Sequence, residues 1–486
     1  MGYWSYNKGY IGGLTFEKLK KELGELDIWA LALGAIIGWG CFVLPGTKFL
    51  VDAGPLGASI GIVLGALIMM VIAKSYGVMV QRFPVAGGEF TFAYVGFKRK
   101  HAFVAAWLLG LSYLSIVPLN ATALGLISRF MFPGIIQQGY LYTVAGWDVY
   151  LGEIIIASLA IIALTLLNIK GVSLFGTLAK ILAFTLSIGI VVLFVFALLN
   201  PITEIEYLTP VFSPNKTPWA GILSIVAIAP WAFVGFDTIP QASEEIRFDP
   251  KRSLRLMIIA IAIGAMMYVL VTLLTAMVGP WSVFILENSQ WATGSAVQLI
   301  AGDIGMFILG IVILSAILSG LNGFLLASSR MFLVMARTHA LPSVFAEVSK
   351  KNHTPHASLL FVMSVSLIAP WIGRAALNWI VDMASLGAAV GFFYTCASAY
   401  KLSFDYKEDK QLLRNRPFAL LGSLFSILFA LLLLVPASPA SLSLPSLIAL
   451  VVWIGLGFVF YQSSNRYKKT NQQEMDRYFG VVSNEK

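Results

Sequence analysis

The sequence predicts an all-α integral membrane protein with twelve transmembrane helices, because of its composition, its apolar segments and its charge distribution. Of the 486 residues, 58% are hydrophobic and only 12% are charged, and the mean hydropathy is +0.83. Soluble domains carry about 25% charged residues. This composition therefore excludes an ordinary water-soluble fold.

Twelve segments are long and apolar enough to cross a bilayer, which takes about 20 residues as a helix. The polar stretches around them are too short to form a separate folded domain. We therefore predict an N-terminal segment (1–27), one membrane domain (28–462) and a C-terminal tail (463–486). The predicted spans are residues 28–50, 57–80, 102–130, 150–168, 174–199, 219–244, 254–279, 300–334, 357–373, 376–400, 417–436 and 446–462.

Basic residues are distributed unequally between the two sides of these spans. With twelve spans both termini share one side, and 27 of the 33 Lys and Arg residues lie there, against four on the other side. Because Lys and Arg collect in cytoplasmic loops, we predict a protein of the cell membrane with both termini in the cytoplasm. The net charge of +9 then reflects orientation in the lipid bilayer, and we expect no nucleic-acid partner.

The sequence indicates no cofactor and no metal. Cys41 and Cys396 both fall inside predicted spans, so they suggest neither a disulfide framework nor a zinc site. No short apolar core with a small-residue cleavage site precedes the first span, and we therefore expect no cleavable signal peptide.

The first span contains residues that interrupt a helix. Gly34, Gly38 and Gly40 fall within seven residues and Pro45 follows. Glycine costs about 1 kcal/mol in a helix interior, and broken backbone in lipid must find other hydrogen-bond partners. Such a break usually aims backbone groups at a substrate or ion. The alternative is a closely packed glycine helix without a binding role.

The sixth span repeats this feature with Pro230, Gly235 and Pro240 inside an apolar run. Proline removes a backbone donor and clashes with the preceding turn. Corresponding interruptions in two halves of a membrane protein point to a transporter with inverted repeats. We therefore predict that helices 1 and 6 are discontinuous, although the two halves show no obvious residue-level repeat.

Five stretches between residues 34 and 342 carry motifs: GAIIGWGCFVLPG (34–46), RFPVAGGEF (82–90), TLAKILAFTL (177–186), PWAFVGFDT (230–238, with SEEI following) and SSRMFLVMARTHALP (328–342). Together these stretches resemble motifs of the amino acid–polyamine–organocation transporters. This resemblance implies a LeuT-like fold, in which five spans and five inverted spans are followed by two more, and transport of an amino acid or a related small amine.

The sequence departs from the family pattern at three places. Trp39 stands where the family has a small residue, and residues 338–340 read Thr-His-Ala instead of an Asp-Gly turn. The second span has Tyr-Gly-Val at residues 76–78 where many members have Tyr-Ala-Glu. Because one fold serves many ligands, the resemblance does not name the substrate.

The break in the first span is predicted to bind the α-carboxylate of the substrate. Backbone N–H groups around Ile37, Gly38, Trp39 and Gly40 should be exposed at a half-helix end, where the dipole favours an anion. The resemblance implies the same role. Since an indole is bulky, we also predict that Trp39 limits the size of the substrate.

The break in the sixth span supplies further predicted substrate residues. Trp231, Phe233 and Phe236 surround Gly235, and the resemblance implies that Trp231 and Phe233 form a gate or line the pocket; plain packing is the alternative for each. Asp237 would attract a substrate ammonium group if it faced the cavity. Its alternative is a polar position near the cytoplasmic half of a tilted span.

Lys180 in the fifth span is predicted to couple transport to ions. The resemblance implies that its ammonium takes the place where sodium-coupled relatives of the fold bind Na⁺. A buried lysine can also release its proton, so we predict sodium-independent transport with protons as the coupling partner. Snorkelling toward the cytoplasm is the alternative, and it is our interpretation of Lys74, which lies at a similar depth.

Other polar residues are predicted at the inner gate and in the eighth span. Five charged residues of loops and helix ends should pair to close the gate on the cytoplasmic side: Glu89, Glu244, Glu245, Arg330 and Arg337. Three residues of the eighth span are candidates for the cavity lining, with bonds to their own or a neighbouring helix as the alternative: Ser315, Ser319 and Asn322.

The sequence thus predicts a secondary active transporter that works by alternating access, and not an enzyme. A nucleotide-binding Gly-x-x-x-x-Gly-Lys loop is missing from the sequence, which argues against transport driven by ATP. One alternative is obligate exchange of one amino acid or amine for another. A more remote one is a channel or a membrane sensor, but paired interruptions favour a closed central site over a continuous pore.

Overall fold

The computed structural model describes residues 8–288, 290–436, 438 and 441–481. This part of the chain is mostly helical, as predicted, and eight of its helices are long and apolar enough to cross a membrane. The longest of these stretches, residues 25–82, contains the first two predicted spans and is interrupted at residues 37–39, and the ninth predicted span corresponds to a shorter helix of 17 residues. The exact number of twelve spans therefore stays a prediction.

The helices follow the predicted spans in order. A π-helical turn (Pro45–Phe49) connects the second helix to the third. The helices are α1 (Glu25–Ile36), α2 (Gly40–Leu44), α3 (Leu50–Arg82), α4 (Gly88–Met131), α5 (Leu151–Lys170), α6 (Val172–Leu199), α7 (Pro218–Val226), α8 (Ala229–Ala232), α9 (Thr238–Gln241), α10 (Ser253–Ala276), α11 (Trp281–Glu287), α12 (Ala292–Arg337), α13 (His356–Ile372), α14 (Arg374–Asp405), α15 (Lys410–Leu434), α16 (Leu444–Ser463), α17 (Asn465–Lys469) and α18 (Gln472–Tyr478).

Two β-hairpins correct the all-α prediction. Strand β1 (Lys8–Ile11) pairs antiparallel with β2 (Leu14–Glu17), and β3 (Tyr140–Val144) pairs with β4 (Trp147–Tyr150). Each connection is a two-residue loop with positive φ at both residues, Gly-Gly in the first hairpin and Ala-Gly in the second, as tight hairpins require. Apart from Tyr150, the first residue of the fourth predicted span, both hairpins lie outside the predicted spans, where hydropathy says nothing about strand pairing.

Three long helices bend at a residue with positive φ: α3 at Gly54, α4 at Lys98 and α12 at Gly302. A positive φ is incompatible with right-handed helical backbone, so the chain changes direction at each of these residues. The predicted span 102–130 begins just after the bend in α4. The first turns of α4 are therefore separate from the part that crosses the membrane.

The broken first span lies inside the helix bundle. Helix α1 packs against α6, α10 and α12, and α12 also packs against α4. Helix α16 lies on the outside, where Val451 is 69% exposed and Phe458 is 65% exposed. An apolar outer surface of this kind is typical of contact with a membrane. The interior position of α1 places its break away from lipid.

Both described ends of the chain meet at one end of the bundle, which we call the terminal face (residues 8–24 and 464–481). The N–H of Gly12 donates to Glu474 Oε2 over 2.7 Å. An edge-on contact between two aromatic rings also joins β2 to α18. The terminal face is therefore a packed layer made from both ends of the sequence.

Candidate substrate site

The first span breaks where its glycines predict. Residues 37–39 separate α1 from α2. The N–H of Cys41 donates to the carbonyl of Gly38 at 3.2 Å, and the N–H of Phe42 donates to the carbonyl of Trp39 at 3.1 Å. The first N–H groups of a helix have no carbonyl one turn earlier to bond. The break therefore presents backbone donors at the start of the second half-helix.

The sixth span breaks after α8, where residues 233–237 are not helical. Gly235 has a φ of +134°, a conformation that side chains disfavour. A Cβ at Gly235 would lie 2.6 Å from the backbone nitrogen of Ile36 and 2.7 Å from the carbonyl carbon of Ala35. Glycine at this position therefore lets the two broken spans touch.

A cavity of about 30 Å³ lies between the two breaks. This volume has room for one or two water molecules and is far below the roughly 300 Å³ of a small-molecule site. An amino acid therefore enters only if lining side chains move. None of the described lining residues is charged: they are Ala35, Ile36, Gly38, Trp39, Gly40, Ile116, Leu119, Asn120, Trp231, Val234, Tyr268 and Phe324.

Two tryptophans meet beside the cavity. The ring centroids of Trp39 and Trp231 are 6.0 Å apart, with the rings at 69°. A Cβ at Gly40 would lie 2.5 Å from the Trp231 ring, whereas a Cβ at Gly38 would meet only Asn120 Oδ1, at 3.4 Å. A side chain at Gly40 would therefore displace Trp231, and a side chain at Gly38 would extend toward the cavity lining.

The structure brings four of the predicted substrate residues to the cavity. These are Gly38, Trp39, Gly40 and Trp231. The other five are outside its lining: Ile37, Phe233, Gly235, Phe236 and Asp237. Phe236, for example, packs its ring against Tyr76 and Phe392. The breaks were predicted by local sequence, but the direction of each side chain depends on the neighbouring helices.

Several lining residues were not among the site residues predicted from the sequence. Asn120 lies in α4, Tyr268 in α10 and Phe324 in α12. Phe324 resembles dozens of other apolar positions, so nothing local distinguishes it. A buried amide within an apolar span is unusual, and this was the available signal for Asn120.

Asp237 lies behind the second break and is fully buried. Its Oδ1 accepts the N–H of Gly235 at 2.6 Å, and its Oδ2 accepts the hydroxyl of Tyr113 at 2.8 Å. Within the described chain this carboxylate forms no ion pair. It satisfies a backbone donor at the break, and it thereby stabilises the non-helical backbone around Gly235.

Glu89 forms a second buried carboxylate site. Its Oε1 accepts the hydroxyl of Tyr76 at 2.8 Å, and its Oε2 accepts the side-chain amide of Gln241 at 2.6 Å. These hydrogen bonds connect the start of α4 to α3 and to the end of α9. Glu89 therefore joins a hydrogen-bond cluster and not the ion pairs with which it was grouped from the sequence.

Comparison with known proteins decides the family of this chain. The model of the amino acid permease family matches residues 23–459, which include both breaks and all the cavity residues. The chain belongs to this family. The resemblance found from the sequence motifs is thereby confirmed, and the members of the family are transporters.

The names of proteins related to this permease give different substrates. The branched-chain amino acid permease BcaP of Bacillus subtilis (strain 168) is 25% identical over 476 residues, which cover 94% of this chain and 96% of the relative. The methylthioribose transporter of the same strain is 26% identical over 385 residues (76% and 79%). The vacuolar cationic amino acid transporter 4 of Arabidopsis thaliana is 26% identical over 397 residues (77% and 60%). The family therefore supports amino acid transport without defining one substrate.

The permease places Lys180 away from both breaks. Its Nζ lies 2.8 Å from Oδ1 of Asp27, in the first turn of α1, and its side chain is 34% exposed. From Asp27 to Gly38 the chain advances eleven residues, roughly 16 Å along a helix. The structure therefore does not bring Lys180 to the substrate residues, and its coupling role stays a prediction. Lys74 lies with its Nζ 3.3 Å above the ring of Phe418.

Four of the charged residues predicted at the gate form two ion pairs beside the terminal face. Arg330 donates to both carboxylate oxygens of Glu245, at 2.9 and 2.7 Å, and both side chains are fully buried. Arg337 donates to Oε2 of Glu244 at 2.7 Å. These pairs connect the end of the broken sixth span to α12.

The N-terminal segment covers these ion pairs. Arg337 also donates to the carbonyl of Glu17 at 2.9 Å, and the N–H of Leu19 donates to Oε1 of Glu244 at 2.9 Å. The N–H of Leu23 donates to the carbonyl of Glu245 at 3.0 Å. The terminal face is therefore closed by hydrogen bonds between the N-terminal segment and the gate residues.

The three polar residues predicted in the eighth span do not line the cavity. The hydroxyl of Ser315 donates to its own helix, and Oδ1 of Asn322 accepts the amide of Asn168 in α5 at 3.0 Å. Ser319 packs against Gly34, where a Cβ would lie 1.6 Å from its Oγ. These residues therefore fit the alternative given above, in which they bond or pack against their own or a neighbouring helix.

Proposed function

We propose that this permease carries an amino acid across the cell membrane by alternating access, with the substrate bound between its two broken spans. The observation that carries the proposal is the contact of the breaks at Gly235 beside an uncharged cavity. Paired interruptions of this kind are typical of transporter sites at the membrane midplane. Membership of the amino acid permease family supports the same function.

The proposed site holds the two charged groups of an amino acid with uncharged protein groups. The α-carboxylate accepts hydrogen bonds from the backbone of Gly38 and Gly40, where the start of the second half-helix favours an anion. The α-ammonium donates to Oδ1 of Asn120, a buried atom that lacks a hydrogen-bond partner in the described part of the chain. Both charged groups of the amino acid are then bound, and its side chain contacts the aromatic residues that line the cavity.

We propose a neutral amino acid with an apolar side chain as the substrate. The cavity is lined by Trp39, Trp231 and Phe324 and by no described charged residue. A second positive charge, as in a cationic amino acid or a polyamine, would be desolvated there without a counter-ion, which is costly. The name of one relative, a branched-chain amino acid permease, agrees with this substrate class.

The ion pairs beside the terminal face are the proposed inner gate. With both termini in the cytoplasm, Arg330–Glu245 and Arg337–Glu244 close the cytoplasmic side of the site. Alternating access requires these pairs to separate when the site opens inward. The sixth span carries both Gly235 and the glutamates, so movement at its break would reach the gate directly.

Transport is proposed to be sodium-independent and coupled to protons. One candidate for the proton carrier is Lys180 in its pair with Asp27. The other is the set of buried carboxylates, Asp237 and Glu89, which have hydrogen-bond donors but no ion pair within the described residues. An ionisable residue inside a membrane domain commonly marks a proton pathway. Obligate exchange of amino acids is the alternative mechanism.

Uptake of labelled leucine into proteoliposomes in sodium-free buffer tests these proposals. Accumulation driven by an inward proton gradient supports symport, and uptake that needs internal leucine supports exchange. Strict dependence on external Na⁺ would overturn the coupling proposal. An ion conductance far above the turnover rate of a carrier would show that the protein is a channel. Stronger competition by arginine or putrescine than by isoleucine would contradict the proposed substrate class.

A further inference from the structure

A groove distinct from the central cavity opens on the outer surface of the bundle, between the start of α4 and the second half of α16. It encloses about 530 Å³, and its walls are mostly apolar. Val104 on one wall is 43% exposed, and Ile454 and Phe458 on the other are 51% and 65% exposed. In a membrane-embedded protein, such walls face lipid.

The floor of the groove is flat and aromatic, and its indole N–H groups are already hydrogen-bonded. The ring of Trp107 stacks on Phe103 and on Trp453, with centroids 5.6 and 4.7 Å apart. Each indole N–H donates to the backbone carbonyl of the other tryptophan, at 3.0 and 3.1 Å. A Cβ at Gly457 would lie 2.5 Å from Trp107 Nε1, so glycine allows this close stacking. The floor therefore suits an apolar occupant.

The mouth of the groove is basic. Lys100 lines the groove and is exposed, and within the described chain it forms no ion pair. At the opposite rim, Nζ of Lys468 donates to the carbonyl and to Oε1 of Gln462, both at 2.9 Å. No described acidic residue lines the groove. The apolar slot thus has the ammonium group of Lys100 in its lining and that of Lys468 bonded to its rim residue Gln462.

The length of the groove matches one leaflet of a bilayer. From Lys100 to Leu108 the wall of α4 rises roughly 12 Å, and the hydrocarbon core of a leaflet is about 15 Å thick. The basic mouth lies toward the terminal face, since α16 leads directly into α17 there. The slot therefore runs from the membrane surface toward the midplane.

We propose that this groove binds an anionic phospholipid, with one acyl chain on the aromatic floor and the phosphate between Lys100 and Lys468. Basic pockets between membrane helices are suited to anionic lipid headgroups. A soluble phosphate would leave the apolar slot empty, whereas a phospholipid satisfies both the slot and the ammonium groups. The proposal rests on membrane insertion and is independent of the transported substrate.

Native mass spectrometry of the purified full-length permease tests the proposal. The protein is delipidated in detergent and titrated with phosphatidylglycerol or with phosphatidylcholine. We expect one tightly held phosphatidylglycerol and weaker binding of phosphatidylcholine. Because one lysine near a membrane surface contributes about 1 kcal/mol, Lys100→Gln should weaken phosphatidylglycerol binding about fivefold. The matched control is Lys407→Gln, an exposed lysine outside the groove, which should leave binding unchanged.

A second variant tests the slot itself. Val104→Trp fills the groove and should remove binding of both lipids, while Val63→Trp, at a residue that is 47% exposed on another helix, should retain it. Lys100→Gln leaves the walls intact and so tests the headgroup even if Val104→Trp fails to fold. Equal binding by the two tryptophan variants, or equal affinity for both lipids, would overturn the proposal. A dimer that dissociates only in Val104→Trp would assign the groove to a second copy of the chain.

Discussion

The central cavity and the gate beside the terminal face handle charge in opposite ways. The cavity has no charged residue in its described lining and relies on backbone groups and Asn120. The gate buries one complete ion pair, Arg330–Glu245, and the arginine of a second, Arg337–Glu244, whose glutamate side chain is 13% exposed. Uncharged donors leave no unpaired charge behind when a ligand departs, whereas a buried ion pair is costly to separate. In the proposed mechanism, reversible binding and firm closure therefore use different chemistry in neighbouring parts of one molecule.

The largest expected effect is loss of transport on filling the cavity at Gly38. In Gly38→Val the new side chain extends toward Asn120 and blocks close approach of a carboxylate to the backbone. We expect leucine uptake no higher than in protein-free liposomes, with normal insertion and elution. Gly455→Val is the matched control, since a Cβ there meets nothing within 4 Å. Normal leucine affinity in Gly38→Val would show that the substrate carboxylate does not bind at this site.

The next effect concerns the stability of the gate. Arg330→Ala leaves Glu245 buried without a counter-ion, which costs about 3–5 kcal/mol, and the melting temperature in detergent should fall steeply. The double variant Arg330→Met with Glu245→Leu removes both charges and should recover most of the loss. The control is Arg252→Ala, which breaks an exposed pair with Glu25 and should cost at most about 1 kcal/mol. Similar melting temperatures for Arg330→Ala and Arg252→Ala would contradict the expected difference in stability between losing a buried gate pair and losing an exposed surface pair.

A smaller effect is expected on selectivity at Trp39. Trp39→Ser shortens one wall of the cavity and should let phenylalanine and tryptophan compete better with leucine. A methylene group in an apolar pocket contributes about 1–3 kcal/mol, or 10–200-fold in discrimination. Inhibition of leucine uptake by a series of amino acids measures this change. Trp219→Ser, at an indole that is 72% exposed, should keep the parental order, and the same order in Trp39→Ser would show that the indole does not restrict the substrate.

The smallest effect separates the two candidate proton carriers. An inward gradient of one pH unit supports about tenfold accumulation when one proton accompanies each substrate. Lys180→Ala should lose this accumulation if the lysine is the carrier, and Lys74→Ala should retain it. Because the Lys180–Asp27 pair is partly exposed, its loss should change stability by at most about 1 kcal/mol. Undiminished accumulation in Lys180→Ala would leave the buried carboxylates as the candidate proton carriers. Asp237→Asn would then test one of them.

The breaks were predictable because their causes are local. Glycine and proline weaken a helix wherever they stand, and both interruptions lie where Gly38, Gly40 and Gly235 place them. The four gate residues that pair were also predictable as a group, since charges beside apolar spans need partners. Their pairing scheme was not, because each partner comes from a distant part of the chain.

The sequence could not predict the features that distant segments determine. The two hairpins depend on strand pairing and on tight loops, and hydropathy detects neither. Asp237 was considered for the cavity, but the positive φ of Gly235 turns the backbone so that the carboxylate accepts the N–H of that glycine. The coupling role of Lys180 stays a prediction, and its pairing with Asp27 depends on how α6 packs against α1.

The sequence by itself determined that this chain is a helical membrane protein of the amino acid permease family with interrupted first and sixth spans, because hydropathy, glycine and proline act over a few residues. Only the tertiary structure decided which side chains share the cavity. All the helices packed around a helix determine which of its faces points inward, so Asn120 and Tyr268 line the cavity while Phe236 does not. The same packing placed Lys180 beside the first turn of α1, about eleven residues before its break.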